Sequence, residues 1–320
     1  LFASVDNLGQ ITRNDAYIDL HIDEILALDL VNVKAIKAAN LKVVVDGVNS
    51  TGGIAIPLLL EALGVQPVKL FCTPNGEFPH NPEPLKEHLG ALMTEVVTQG
   101  ADFGIVVDPD VDRLAFVDEK GEMFGEEYTL VAVADYVLAN TPGNTVSNMS
   151  SSRALRDITN KHNGTYTASA VGEVNVVQTM KDTKAVIGGE GNGGIIYPEL
   201  HYGRDSLVGV ALFLSHLVEQ KMAVSALRAS YPSYYMSKQK IALTPQIDVD
   251  AILEKMADTY KAEEITTIDG VKIDFESNWV HLRKSNTEPI IRIYTEAVTQ
   301  DKADTLANGI ILQIKQIAGL

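Results

Sequence analysis

Short apolar runs at 41–45, 65–71 and 103–107 alternate with stretches of helical periodicity, and this alternation constrains the fold more than any other feature. Parallel strands need long crossovers, which the intervening segments supply. The first run ends at Asp46-Gly47 and passes through Asn49-Ser50-Thr51-Gly52-Gly53 into a helix reaching Leu63. The second leads through a Pro-rich loop, 72–84, to a helix over 85–98. A helical pattern over 15–40 precedes them, with Tyr17, Ile18, Ile22, Ile25, Leu26 and Leu28 roughly on one side. A second round begins at Glu126, with strands near 145–149, 165–169 and 185–188. After Tyr235 the order changes to strand, helix, hairpin around Asp269-Gly270, strand, loop, strand and final helix. The expectation is an α/β protein: two tandem α/β mixed-sheet domains, 1–123 and 124–236, followed by a smaller α+β C-terminal domain, 237–320.

A chain of 320 residues, 46% of them hydrophobic, can bury cores of that number. Its formal net charge of -16 argues against nucleic acid or an anionic membrane as a partner, since either needs a clustered basic surface. An acidic protein that takes an anionic ligand must use a few placed Arg and Lys side chains, backbone N–H groups or a bound cation. The single cysteine, Cys72, leaves no internal disulfide and no Cys-based zinc cluster, so a reducing, cytoplasmic setting is expected. No apolar run approaches the roughly 20 residues of a membrane span, and the first ten residues lack the layout of a signal peptide. The first residue is Leu1 and not Met, as in a chain trimmed from a longer one.

Three loops carry the chemistry. Asp108-Pro109-Asp110-Val111-Asp112-Arg113 directly follows a buried strand, at the end where open α/β sheets bind ligands. Three carboxylates so close repel one another, and a hard cation relieves the repulsion; oxygen-only ligands suit magnesium or manganese. The competing reading is a solvated acidic turn. Gly188-Gly189-Glu190-Gly191-Asn192-Gly193-Gly194 lets backbone approach a ligand closely, while a carboxylate can accept from two vicinal hydroxyls, which suits a sugar. Taken alone, it could equally be a flexible surface turn. Arg283-Lys284-Ser285-Asn286-Thr287-Glu288-Pro289 lies between two strands and offers hydroxyl, amide and turn N–H donors beside a guanidinium, as a phosphate cradle would. A plain polar hairpin connection is its alternative.

In this order and spacing the loops closely resemble the α-D-phosphohexomutases: phosphoglucomutases, phosphomannomutases and phosphoglucosamine mutases. The resemblance covers essentially the whole chain. It implies that Asp108, Asp110 and Asp112 bind Mg2+, that Glu190 and Asn192 contact sugar hydroxyls, and that Arg283, Ser285, Asn286 and Thr287 hold substrate phosphate. Arg113 would stabilise charge on the transferring phosphoryl group. The implied partners are a hexose phosphate and a hexose 1,6-bisphosphate intermediate. The family's phosphoserine lies in Thr-Ala-Ser-His-Asn-Pro on an N-terminal domain, and this sequence has no such segment. Thr167-Ala168-Ser169 shares three letters but continues Ala170-Val171-Gly172, so Ser169 is read as a decoy and the chain by itself is expected to be inactive. Two positions depart from the pattern: Glu173 stands where relatives commonly have His or Lys, and Gly194 where His is frequent. His201 is a nearby ionisable substitute, although a lone histidine is more often a structural or surface residue.

Two other readings compete. Asp108-Pro109-Asp110-Val111 after an apolar strand also resembles the nucleophile motif of haloacid dehalogenase-type phosphatases, in which Asp108 would attack covalently. A non-catalytic sugar-phosphate-binding protein is the second. Among mutases, Gly-Glu-Gly-Asn-Gly-Gly followed by Tyr197-Pro198-Glu199-Leu200-His201-Tyr202-Gly203-Arg204-Asp205 looks most like the phosphoglucosamine branch, with mannose and glucose phosphates as close alternatives.

Overall fold

The computed structural model describes residues 2–242, 247–285 and 290–319. Two helices, α1 (Tyr17–Leu26) and α2 (Val33–Ala39), lead into β1 (Lys42–Asp46), α3 (Gly52–Ala62), β2 (Gln66–Leu70), α4 (Gly90–Gln99), β3 (Phe103–Val107) and β4 (Leu114–Val117). The second round is α5 (Glu126–Asn140), β5 (Asn144–Asn148), α6 (Ala154–Lys161), β6 (Tyr166–Ser169), α7 (Glu173–Thr183), β7 (Ala185–Glu190) and β8 (Gly194–Ile196), then α8 (Ser206–Gln220) and α9 (Val224–Ala229). The last part comprises β9 (Tyr235–Ala242), α10 (Val249–Thr259), β10 (Glu264–Thr266), β11 (Val271–Asp274), β12 (Trp279–Lys284), β13 (Ile290–Ala297) and α11 (Gln300–Ala318).

The helical stretch expected over 15–40 is two helices. The side chain of Asn32 caps α2 by accepting from the Ala35 N–H, a bond that starts a new helix where a continuous one would need that N–H internally. The helix expected over 85–98 likewise begins as a separate 3-10 turn, Lys86–His88.

The first two sheets have the same topology. Their orders are β2-β1-β3-β4 and β6-β5-β7-β8, with parallel pairing except for an antiparallel edge strand in each. Neither antiparallel edge was singled out as a strand in the sequence. Each is only three or four residues long and follows its partner through a short loop. The third sheet, β10-β11-β12-β13-β9, is antiparallel throughout.

Strand β3 is buried along its whole length, as a central strand between helical layers must be. Ile105 joins Val43 and Val45 on one face, while Val106 joins Val44 with Leu92 and Val96 of α4 on the other. The first core continues through α5 and α8 to Ile187 and Ile195 of the second sheet. Helix α8 follows the second sheet in sequence but packs against α1, α2 and α3, so the two α/β units share one apolar interior. The antiparallel sheet has its own core, where Ile252 and Met256 of α10 and Ile310 and Ile314 of α11 cover Ile273, Val280 and Ile293. Among the described residues no helix is long and apolar enough to cross a membrane.

Candidate active site

The acidic loop connects β3 to β4 at the carboxyl end of the first sheet. One oxygen each from Asp108, Asp110 and Asp112 lies within 4.8 Å of the others. Asp108 is buried, and its Oδ1 accepts from the N–H groups of Asp112 and Arg113, both at 3.0 Å. Burial pushes its carboxyl up to about 7; the Arg113 backbone bond opposes this, and the charges of Asp112 and Asp110 reinforce it. A carboxylate so disfavoured, with Oδ2 outside those two backbone bonds, fits a cation site made only of oxygen donors. Arg113 sits above the loop, with Nε 3.5 Å from Asp108 Oδ2 and Nη1 3.2 Å from Glu83 Oε1.

Glu190 ends β7, the strand of the second sheet that corresponds to β3. Its Oε1 accepts from Asn148 Nδ2 at 2.8 Å and from the Gly172 N–H at 3.3 Å, and its Oε2 from Arg204 Nη1 at 3.0 Å. An ionised carboxylate offers about four lone-pair sites, so roughly one remains for a ligand. Asn192 Oδ1 accepts from the Gly194 N–H at 3.2 Å, which leaves its amide NH2 to donate.

The glycines of this loop approach the protein itself. A Cβ at Gly191 would meet Glu127 Oε2 at 2.0 Å, and one at Gly193, where φ is +89, would meet the carbonyl oxygen of Leu114 at 2.1 Å. The Leu114 N–H donates to the Gly193 carbonyl at 3.1 Å, so the sugar-loop backbone is bound to the first strand residue after the acidic loop. Close approach was expected toward a ligand; here it joins the two sheets.

Arg204 makes the second connection. It pairs with Asp112 of the acidic loop and Glu190 of the glycine loop, and its Nε lies 3.5 Å from Glu173 Oε2. The Arg204 N–H also donates to Glu173 Oε1 at 2.9 Å. Glu173, where a basic residue was expected, thus serves to hold an arginine. His201 bonds Asp205 and does not line the cleft described next, so it does not replace the missing basic side chains there.

A cleft of about 440 Å³ opens where the three sheets meet, and Arg113, Glu190, Asn192 and Arg283 all line it. Arg283 lies near the end of β12, held by an ion pair from its Nε to Asp269 Oδ2 at 2.9 Å. The Ser285 N–H donates to the Ile290 carbonyl at 3.1 Å, closing the base of the third loop. Asn286 and Thr287 lie outside the described residues. Ser169 is buried at the end of β6, with its hydroxyl donating to the Ala170 carbonyl at 2.8 Å.

Four residues of the site were missed from sequence, and three of them, Arg292, Lys238 and Glu127, line the cleft. Arg292 stands directly opposite Arg283 in the β12–β13 register, and Lys238 opposite Tyr294 in the next pair of strands. The signal was present in Ile290-Ile291-Arg292-Ile293, where a charge at an alternate position of an apolar strand marks the face turned away from the core. Glu127 opens α5 beneath Gly191, accepting from the Ser152 N–H at 2.8 Å, and burial pushes it up to about 8. Arg204, the fourth, bridges loops far apart in sequence, and its spacing carries no hint of this.

Residues 19–121 match the family description "Phosphoglucomutase/phosphomannomutase, alpha/beta/alpha domain II", residues 125–235 match domain III, and residues 239–313 match the C-terminal domain. The chain belongs to the phosphoglucomutase/phosphomannomutase family. It is 36% identical to the phosphoglucomutase/phosphomannomutase of Thermococcus kodakarensis, over 99% of this chain and 70% of that protein. It is 32% identical to the phosphoglucosamine/phosphogalactosamine mutase of Sulfurisphaera tokodaii, over 96% of this chain and 68% of that one. The crystal structure of a phosphoglucomutase/phosphomannomutase family protein from Burkholderia thailandensis superposes with a TM-score of 0.76 at 26% identity, over 89% of this chain and 63% of that chain. The phosphatase reading of Asp108 falls with this membership.

Proposed function

We propose that this chain forms the metal-, sugar- and phosphate-binding parts of a phosphohexomutase that moves phosphate between the 1- and 6-positions of a hexosamine phosphate through a 1,6-bisphosphate. The observation that carries the reading is the convergence of Arg113, Glu190, Asn192 and Arg283, from three separate sheets, on one cleft. The three sheets would mark three domains, 1–123, 124–236 and 237–320, with β9 of the third sheet beginning two residues before the last boundary.

Asp108, Asp110 and Asp112 would hold Mg2+, whose contribution is to neutralise charge at the transferring phosphoryl group. Arg113, the cleft-lining residue of this loop, adds a fixed positive charge there. Arg283, supported by Arg292 and Lys238, grips the phosphate that stays on the sugar; Ser285, Asn286 and Thr287 complete that cradle. Glu190 and Asn192 then orient the ring between the two charged ends, accepting from and donating to its hydroxyls. Phosphoryl transfer needs positioning and charge neutralisation above all, which explains why the groups come from separate sheets. The phosphoserine comes from outside these residues, so the chain binds substrate but turns it over only when that serine is supplied. The resemblance of the run from Tyr197 to Asp205 to the phosphoglucosamine branch supports an amino sugar, with glucose and mannose phosphates, for which the Thermococcus kodakarensis relative is named, as the alternative. A phosphorylated sugar and a lone cysteine go with a cytoplasmic setting.

Calorimetry at fixed magnesium tests this. Glucosamine 6-phosphate should bind, and Arg283→Ala should weaken it on the order of ten- to a hundredfold, the worth of a charge-assisted hydrogen bond of about 1.5–3 kcal/mol. Unphosphorylated glucosamine and magnesium itself should be little affected. Equal affinity of wild type and mutant for the sugar phosphate would remove Arg283 from the proposed cradle.

A further inference from the structure

A second cluster of metal-ligating side chains lies outside the cleft. His21 on α1 and His201 on the loop before α8 both direct Nε2 at the same carboxylate oxygen, Oδ2 of Asp205, at 2.6 and 3.0 Å. The two imidazole rings are 5.7 Å apart between centroids. We propose that His21, His201 and Asp205 form a binding site for a first-row divalent transition-metal ion such as Zn2+, separate from the all-oxygen acidic loop.

The arrangement of Asp205 supports this. Its Oδ1 is committed to the start of α8, accepting from the N–H groups of Leu207 and Val208 at 2.7 and 3.1 Å. That fixes the carboxylate and leaves Oδ2 as a single oriented donor, in the way that hydrogen bonds to the far side of a metal ligand orient it.

Distances and access are also suitable. Zinc bonds to His nitrogen and carboxylate oxygen are roughly 2.0–2.2 Å, which spaces tetrahedral donors about 3.3 Å apart. From their present 3.0 and 2.6 Å, His201 needs to withdraw about 0.3 Å from Asp205 and His21 about 0.7 Å. Their side chains are 33% and 43% exposed while that of Asp205 is 7% exposed, so an ion can enter from solvent and complete its shell with water. Two imidazoles select against magnesium, whereas imidazole and carboxylate together suit zinc, cobalt and nickel.

The site joins elements distant in sequence. An ion would tie α1 to the start of α8, beside Arg204, which pairs with Asp112, and Ser206, whose N–H donates to the Val111 carbonyl at 3.1 Å. It would thus stiffen the support of the acidic loop without touching the cleft.

Zinc titration of the 320-residue chain in excess magnesium, followed by calorimetry, tests the proposal, with cobalt(II) as a spectroscopic probe. One equivalent of zinc should bind, and cobalt should give the visible bands of a nitrogen- and oxygen-ligated ion. His201→Ala, at an exposed position, should weaken zinc on the order of ten- to a hundredfold or more, since it removes a ligand and not only an outer partner. His21→Gln should do the same, and Asp110→Asn should leave zinc unchanged. Circular dichroism of the metal-free variants confirms folding. Zinc binding that is absent, displaced by magnesium, or equal in wild type and both histidine variants overturns the proposal and leaves two hydrogen bonds to one carboxylate.

Discussion

The β3–β4 loop and the β7–β8 loop occupy equivalent places in two sheets of identical strand order, yet they are built in opposite ways. The first has three carboxylates and spans six residues; the second has glycines and spans three. Each contains a residue at positive φ: Val111 at +63 in the acidic loop, Gly193 at +89 in the other. Valine is a poor choice for that conformation, but its side chain is buried in the shared core, and that burial offsets the strain. At Gly193 a side chain has nowhere to go, because the Leu114 carbonyl occupies its place. The supports also correspond. Ser50, after β1, donates its hydroxyl to the Pro109 carbonyl at 2.9 Å, and Ser151, after β5, accepts from the Gly191 N–H at 3.0 Å. One backbone framework thus carries a cluster of three carboxylates in one sheet and sits against its neighbour in the other.

The most disruptive way to test this comparison is Gly193→Ala. A left-handed non-glycine residue costs about 1–2 kcal/mol and overpacking about 1–3 more, so a loss of roughly 2–5 kcal/mol is expected in urea or thermal unfolding. A neutral result would mean that the two sheets can separate at Leu114.

Next comes Asp110→Asn, which should weaken magnesium on the order of tenfold or more while preserving the fold, because one of three oxygen-donor carboxylates loses its charge. The same titration with Asn192→Ala should leave magnesium unaffected if only the acidic loop is a cation site. Equal loss in both variants would erase the contrast.

Glu127, under the second loop, gives a pH-dependent test. Its carboxyl ordinarily titrates near 4.5 and is pushed up to about 8 in the fold. The folded state therefore holds the proton more tightly, and wild type loses stability as pH rises from 4.5 through about 8. Glu127→Gln keeps an acceptor for the Ser152 N–H and has no such proton, so its stability relative to wild type should rise across that window, by about 1 kcal/mol or more. Parallel pH profiles of melting temperature would show that Glu127 is not held neutral.

The smallest effect is expected for Val111→Gly. Lost burial of about 1.5–3 kcal/mol is partly offset by about 1–2 kcal/mol of relieved backbone strain. A net loss near 1 kcal/mol is expected by chemical denaturation; a loss above that of Gly193→Ala would reverse the assignment of which loop tolerates a side chain.

Much of this architecture was legible because the relevant signals are local. The run Phe103-Gly104-Ile105-Val106-Val107 reads as a fully buried strand in any context, and the acidic residues after it sit at the ligand-binding end of such a strand whatever surrounds them. Arg283 was legible for the same reason, lying between two apolar runs. The split between α1 and α2 was not, because apolar periodicity continues across it and only the Asn32 cap shows where the second helix begins. Strands β4 and β8 were too short to show alternation.

By itself, then, the sequence determined the order of the longer strands and helices, the α/β and α+β division, and the loops that concentrate charge or glycine, since each depends on residues within a few positions of one another. Tertiary structure alone decided the rest. It made Arg204 a bridge between Asp112 and Glu190, turned the glycines toward Glu127 and Leu114, set Arg292 beside Arg283, and brought His21 to Asp205. These pairings depend on which surfaces meet when helices and sheets pack to bury apolar area, and no local pattern records that choice.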